Sequence, residues 1–262
     1  MLDISVEIGL GMAAWLVALL IPFRHAVARA EIGWDVLGAV CSYVFASYAE
    51  LPLDAGIDWA GNYLGRWPEA IDSAPWWLTV PSYVFAADCG AYWAHRALHA
   101  RWLWPTHAWH HAPRQLYWIS GLRGSPIHIL VLLTPYWVAF MLFPVPQAGL
   151  IGAALLVMDT GNQHLIHSNI KIPFTRHVEW VFVTPRFHFV HHNRRPEIAN
   201  SNYGFIFSFW DRLFGSYTDP DSVSVDSELG LDYEISNWRL LLGLPAGRKD
   251  PYAGASTSQS AS

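Results

Sequence analysis

Charged side chains are scarce in this chain, at 14% of 262 residues, against about 25% in an ordinary soluble domain. Cysteine is scarcer still. Cys41 and Cys89 are the only two, and they form no CxxC, which excludes a disulfide framework and a thiolate metal site. There is no excess of positive charge, since the formal net charge is −5, and a nucleic-acid binder is excluded with it. No Glu-x-x-His occurs, so the signature of a carboxylate-bridged di-iron bundle is missing. No internal repeat is visible, and no apolar run reaches the ~20 residues of a full membrane span. What the chain does have is 53% hydrophobic residues, 15 tryptophans and 13 histidines, the last nearly as many as its 16 Lys and Arg.

Four stretches are apolar enough to enter a bilayer: Ile8 to Phe23, Trp34 to Tyr48, Trp76 to Tyr92 and Ile127 to Leu142. A fifth, Ala148 to Met158, follows the Pro144–Pro146 break and could return the chain. The pattern predicts an all-α integral membrane protein with four to five spanning or half-spanning helices and a helical cap. Arg24 and Arg29, then Arg96, Arg101, Arg114 and Arg123, then Lys171, Arg176 and Arg186 fall on one side of that threading. That side is expected to be cytoplasmic, with the N-terminus outside. Trp76, Trp77, Trp102, Trp104, Trp109 and Trp118 sit at the expected boundaries, as an aromatic belt would. Ala28-Arg29-Ala30 resembles a signal cleavage site, but the first seven residues carry Asp3 and Glu7 and no Lys or Arg, which argues against one. Three regions are expected: an N-terminal hairpin with its acidic loop (1–75), a histidine-bearing domain (76–217), and an acidic tail ending in a disordered Ser/Ala/Gly stretch (218–262).

The histidines are clustered. His95-x-x-x-His99, His107-x-x-His110-His111, His164-x-x-His167 and His188-x-x-His191-His192 hold ten of them. On a helix, residues at i, i+3 and i+4 share a face, so each cluster aims two or three imidazoles in one direction. A mononuclear site needs three or four protein ligands; ten candidates suit two metals close together. Imidazole accepts Zn, Fe, Cu or Ni, and ligand type alone leaves iron and zinc open. A site of neutral imidazoles leaves the positive charge on the metals, which favours an anionic oxygen bridge and oxygen chemistry. Asp88, Tyr92, His95 and His99 form one helical stripe, and Asp88 is expected to take a hydrogen bond from a ligand imidazole. Asp159 stands in a similar relation to His164. A membrane metal transporter and a haem electron carrier are the alternatives. Transport ligands gather at broken helices near the bilayer midplane, and haem needs single facing histidines rather than HxxHH triplets.

These residues resemble the fatty acid hydroxylase / sterol desaturase superfamily. Asp88 to His99 looks like its first histidine box, His107 to His111 like its second, and Thr184 to His192 like its last. Asn202-Tyr203-Gly204 followed by Trp210-Asp211-Arg212 and Phe214-Gly215 is also typical of it, and the likeness runs from about residue 80 to 217. The resemblance implies a non-haem di-iron enzyme that uses O2 to hydroxylate or desaturate a lipid, with zinc as a substitute metal in purified protein. It implies electrons from a separate donor, such as a ferredoxin or a cytochrome b5-type protein with its reductase. His167 matches the family histidine before a small residue and Asn169. Two features depart from the family. His164 is not at a usual histidine position. The family's Arg-x-His-Pro-x-Glu reads Arg123-Gly-Ser125-Pro126-Ile-His128 here, so His128 is left out of the ligand set and expected to face a substrate pocket.

Overall fold

In a computed structural model of the chain, residues 4–22, 31–64, 74–143 and 149–246 are described. The apolar runs coil into long helices, because a helix satisfies its own backbone while offering side chains on every face. The first six helices are α1 (Ile4–Leu20), α2 (Ile32–Leu64), α3 (Trp76–Leu98), the shorter α4 (Trp104–His111), α5 (Pro126–Leu142) and α6 (Gly149–Ile166). Short helices follow: α7 (Thr175–Val178), α8 (Pro185–His191), α9 (Pro196–Ala199), α10 (Phe209–Leu213) and α11 (Asn237–Leu241). Among the described residues the only β contacts are isolated bridges, at Pro22–Ile170, Phe182–Phe207 and Asn193–Leu229. The all-α expectation holds.

The long helices pack in pairs, α3 along α5, α1 along α6 and α2 against α5. Proline opens α5 and α8, at Pro126 and Pro185, where its missing N–H has no helical partner to lose. Ser125 and Thr184 cap these two helices by accepting from His128 N and Phe187 N. Part of the acidic segment after residue 218 is bound to the core. Leu240 of α11 packs with Trp104, Ala108 and Trp109 of α4, and Arg194 N donates to Glu228 O.

The membrane expectation is corrected. Among the described residues one helical stretch, Ile32–Ala49, is long and apolar enough to cross a membrane; Ile8–Leu20 and Pro126–Leu142 are shorter apolar helices. Four to five spanning helices and a multi-pass integral location are therefore not met, and the cytoplasmic orientation inferred from that threading goes with them. The physical reason lies in how the helices end. α3 continues through Asp88, His95 and Arg96, and α6 through Asp159, Asn162, Gln163 and His164. Their apolar runs are short because the rest of each helix is polar. The proposed cleavage site, the Pro144–Pro146 break and the C-terminal Ser/Ala/Gly stretch lie outside the described residues.

Candidate metal centre

Each histidine cluster sits at the C-terminal end of a helix. His95 is in the last turn of α3 and His99 is its cap; His110 and His111 end α4; His164 is in the last turn of α6; His188 and His191 end α8, with His192 as cap. Helix C-termini present unsatisfied carbonyls and the negative end of the backbone dipole, an arrangement that favours a cation. The four ends converge, and His95, His107, His111, His167, His188, His191 and His192 are almost wholly buried.

The imidazoles divide into two groups. His95, His99, His107, His111 and His191 form the first; His110, His167, His188 and His192 form the second; in each, one ring nitrogen per residue lies within 4.8 Å of the others. In the second group the Nε2 atoms meet directly: His110 to His167 at 3.2 Å, His167 to His188 at 3.0 Å and His188 to His192 at 3.0 Å. In the first, His111 Nε2 is 3.1 Å from His107 Nε2.

The outer nitrogens fix which lone pairs face inward. His95 Nδ1 donates to Tyr203 O at 2.9 Å, His99 Nδ1 to Asn200 Oδ1 at 3.0 Å, His191 Nδ1 to Ser201 O at 2.8 Å and His167 Nδ1 to Gln163 O at 2.9 Å. These partners are oxygen acceptors, so each Nδ1 carries the proton and each Nε2 is a bare lone pair. The Nε2 atoms of His95, His99 and His191 are buried with no hydrogen-bond partner. Of the rings in these close contacts only His167 donates from its outer nitrogen to an oxygen, and Nε2 atoms gathered at 3.0–3.2 Å are spaced as the donors of a shared metal ion would be. Two nitrogens each about 2.1 Å from one metal, at close to a right angle, are about 3.0 Å apart. The donor set therefore fits a metal ion in each group.

The chain segment around residue 203 supplies three of those four acceptors, Asn200 Oδ1, Ser201 O and Tyr203 O, and α6 supplies the fourth, Gln163 O. Asn202 adopts the left-handed region (φ 56°), which Asn tolerates better than most residues. Its side chain accepts from Thr218 N and donates to Thr218 O. Asp211 accepts from Tyr203 N and Gly204 N, and Asp88 from Ile206 N, Phe207 N and Trp210 Nε1. Asp88 thus holds the segment whose carbonyls hold the imidazoles. The hydrogen bond expected between Asp88 and a ligand imidazole is made instead by Tyr203 O. The sequence motif around Asn202 and Asp211 marked this segment without revealing that its backbone would do the work.

The remaining expected residues divide as follows. His164 lies outside both groups, its Nδ1 facing Trp118 O at 3.4 Å. Tyr92 hydrogen-bonds Ser216 and accepts from Arg96 rather than meeting an imidazole nitrogen. Asn169 is partly buried just beyond His167. Asp159 is exposed and lies against Tyr136. His128 is buried at the site, its Nδ1 2.7 Å from His107 Nδ1. Gln163, Asn200 and Gly121 were not foreseen. Gly121 is a close approach: a Cβ there would stand 2.3 Å from His167 Cγ. Gly121→Ala is accordingly expected to displace His167 and to lower metal occupancy of the second group while leaving the first loaded. Metal titration of the variant checks this; unchanged loading of both groups would contradict it.

Burial holds the imidazoles neutral. It pushes His95 down to about 4, against the Tyr203 hydrogen bond, and His128 and His167 to about 3. His99, His107, His110, His111, His188, His191 and His192 lie well below the usual range, chiefly through burial and then through one another's charge. The unfolded chain takes up protons below about pH 6.5 that the folded chain refuses, so stability falls as pH drops from about 6.5 to 4. Asp88 and Asp211, both raised to about 6 by burial, act in the opposite sense, but ten imidazoles outnumber two carboxyls. The metal-free protein should melt at progressively lower temperature at pH 8, 6.5 and 5. A flat or rising profile would count against buried neutral histidines.

A helical protein that buries two facing sets of imidazoles on converging helix ends belongs to the histidine-box metalloproteins. Residues 80–216 match the fatty acid hydroxylase family, and the chain belongs to that family. It is 33% identical over 151 residues to alkylglycerol monooxygenase of Xenopus tropicalis, a match covering 57% of this chain and 32% of the relative. It is 30% identical over 187 residues to the ornithine lipid hydroxylase OlsE of Rhizobium tropici, covering 70% of this chain and 54% of the relative. Lathosterol oxidase of Rattus norvegicus is 26% identical over 146 residues, covering 55% of this chain and 46% of the relative. The chain thus spans a third to about half of these relatives. No solved structure matches it significantly.

Proposed function

We propose that the two histidine groups each hold an iron and that the protein uses O2 and external electrons to hydroxylate an unactivated C–H position of a lipid. The observation that carries this reading is the set of nine buried imidazoles in two groups, with Nε2 atoms turned toward one another. An unactivated C–H bond offers no acidic proton and no electrophilic carbon, so acid–base and nucleophilic side chains cannot attack it. Bound iron would supply the oxygen activation that such a bond requires.

The protein's own part is binding and orientation. Tyr203 O, Ser201 O, Asn200 Oδ1 and Gln163 O hold four imidazoles in one tautomer, ready to ligate without reorganisation. Burial keeps the rings neutral and bulk water out. With two separated cysteines and no CxxC, the electrons are assigned to a separate protein, a ferredoxin or a cytochrome b5-type donor. Relatives named alkylglycerol monooxygenase and ornithine lipid hydroxylase favour oxygen insertion into a polar lipid over desaturation.

The test is to reconstitute the protein with Fe(II) under anaerobic conditions, measure iron per chain, and then supply O2, reductant and extracted lipids. Two irons per chain and a lipid product heavier by one oxygen atom are expected. A product lighter by two hydrogens would replace hydroxylation by desaturation. One haem per chain, or metal flux into liposomes without O2 uptake, would overturn the enzyme reading.

A further inference from the structure

Of the four first-group imidazoles whose outer contact is resolved, three meet oxygen, at Tyr203 O, Asn200 Oδ1 and Ser201 O. His107 differs. Its Nδ1 meets the Nδ1 of His128 at 2.7 Å, while its Nε2 faces His111 Nε2 at 3.1 Å. If His107 Nε2 is a ligating lone pair, its Nδ1 must carry the proton and donate outward. His128 Nδ1 must then be bare, which places the His128 proton on Nε2.

We propose that His128 is the positioning residue of His107: a neutral imidazole that accepts the His107 Nδ1–H, fixing that ligand's tautomer and ring plane. The inference rests on the reading that the first histidine group binds a metal.

His128 is built into this position from three sides. Ser125 Oγ accepts from His128 N at 3.3 Å and donates to Thr106 O at 2.7 Å, tying the first turn of α5 to α4. Gly124 leaves room for the ring, since a Cβ there would stand 2.7 Å from His128 Cδ2. The ring is nearly parallel to that of His107, with centroids 4.8 Å apart and planes 14° apart, and lies 5.2 Å from the ring of His110. It therefore touches a member of each histidine group while belonging to neither. A ring only 5% exposed, with its Nδ1 already engaged, is poorly placed to meet a substrate.

The contribution of such an outer partner to metal affinity is typically about 10–100-fold. Leu and Asn have nearly the same shape, and only Asn places an acceptor oxygen where His128 Nδ1 stands. Co(II) is titrated into the metal-free wild type, H128L and H128N against a competing chelator, and the ligand-field spectrum is followed. H128L should bind one of the two Co(II) ions about 10–100-fold more weakly, and H128N should recover most of that loss. Equal affinity in all three proteins, or an Asn variant as weak as the Leu variant, overturns the proposal. If the wild type itself fails to bind two Co(II), the metal reading falls as well; if it binds two and the variants match it, only the role of His128 falls. A second measurement needs no variant. Nitrogen-15 NMR of the Zn-loaded protein should show His128 protonated at Nε2 with a bare, hydrogen-bonded Nδ1, and protonation at Nδ1 overturns the inference.

Discussion

His191→Ala should abolish turnover and remove about one of two metals per chain. His191 lies among the first-group rings, with centroids 4.4 Å from His95, 4.6 Å from His111 and 4.7 Å from His99. Its Nδ1 is anchored on Ser201 O and its Nε2 is buried with no other partner. Alanine deletes a donor that nothing nearby can replace. Loss of an outer partner alone typically weakens metal sites about 10–100-fold, so loss of the donor itself should take the first group out of use. The metal-free variant should also melt lower than the metal-free wild type, because alanine leaves a cavity at a wholly buried site and takes the donor from a buried Ser201 carbonyl, so metal content is compared at a temperature where both are folded. His164→Ala provides the contrast: it lies outside both groups and should keep both metals. Metal analysis with O2 uptake checks the pair, and an active His191→Ala enzyme with full metal content would falsify the ligand assignment.

Arg123→Met should be the most destabilising single change outside the histidines, by about 3–5 kcal/mol. The Arg123 side chain is wholly buried, with Nε donating to Asp35 Oδ1 at 2.6 Å and Nη2 to Glu31 at 3.1 Å. Asp35 is equally buried and also accepts from Tyr117 OH. Removing the guanidinium strands a carboxylate without its counter-charge, and that uncompensated charge is why breaking a buried pair is so costly. Against a typical total stability of about 5–15 kcal/mol, the melting temperature should fall by roughly 10 °C. The effect should reach the metal centre. Arg123 closes the short turn Ser120–Leu122, which Ser42 also grips through Leu122 O, and this turn holds Gly121 against His167. Thermal melting of Arg123→Met and of the double variant with Asp35→Leu tests the argument. Removing both charges should recover much of the loss; a double variant as unstable as the single one would mean that packing, not charge, sets the effect.

How much of this was legible in the sequence differs from residue to residue. Histidine spacing is local, and a 3.6-residue period converts it directly into shared faces, so the four clusters could be found one by one. The resemblance that follows from them agrees with the family match. The expected spanning helices are not met because hydrophobicity along a stretch does not say whether its polar continuation lies in the same helix. In α3 and α6 it does, and Asp88 and His95 of the one and His164 of the other are buried. Asp88 shares a helical stripe with His95, which points it at a neighbouring imidazole. Its oxygens are taken by Ile206, Phe207 and Trp210, about 120 residues away.

The scarcity of charge and cysteine, the excess of histidine and its i, i+3, i+4 spacing determined by themselves that this chain is helical and gathers imidazoles in sets able to coordinate metal. Those properties depend on neighbours a few residues apart. Tertiary structure alone decided that nine of the ten clustered histidines divide into groups of five and four, that His164 falls outside them, and that His128 stands behind His107. Which lone pair turns inward depends on what accepts the proton of the opposite nitrogen. Here those acceptors are backbone carbonyls and side chains from other segments, brought within hydrogen-bonding distance only by folding.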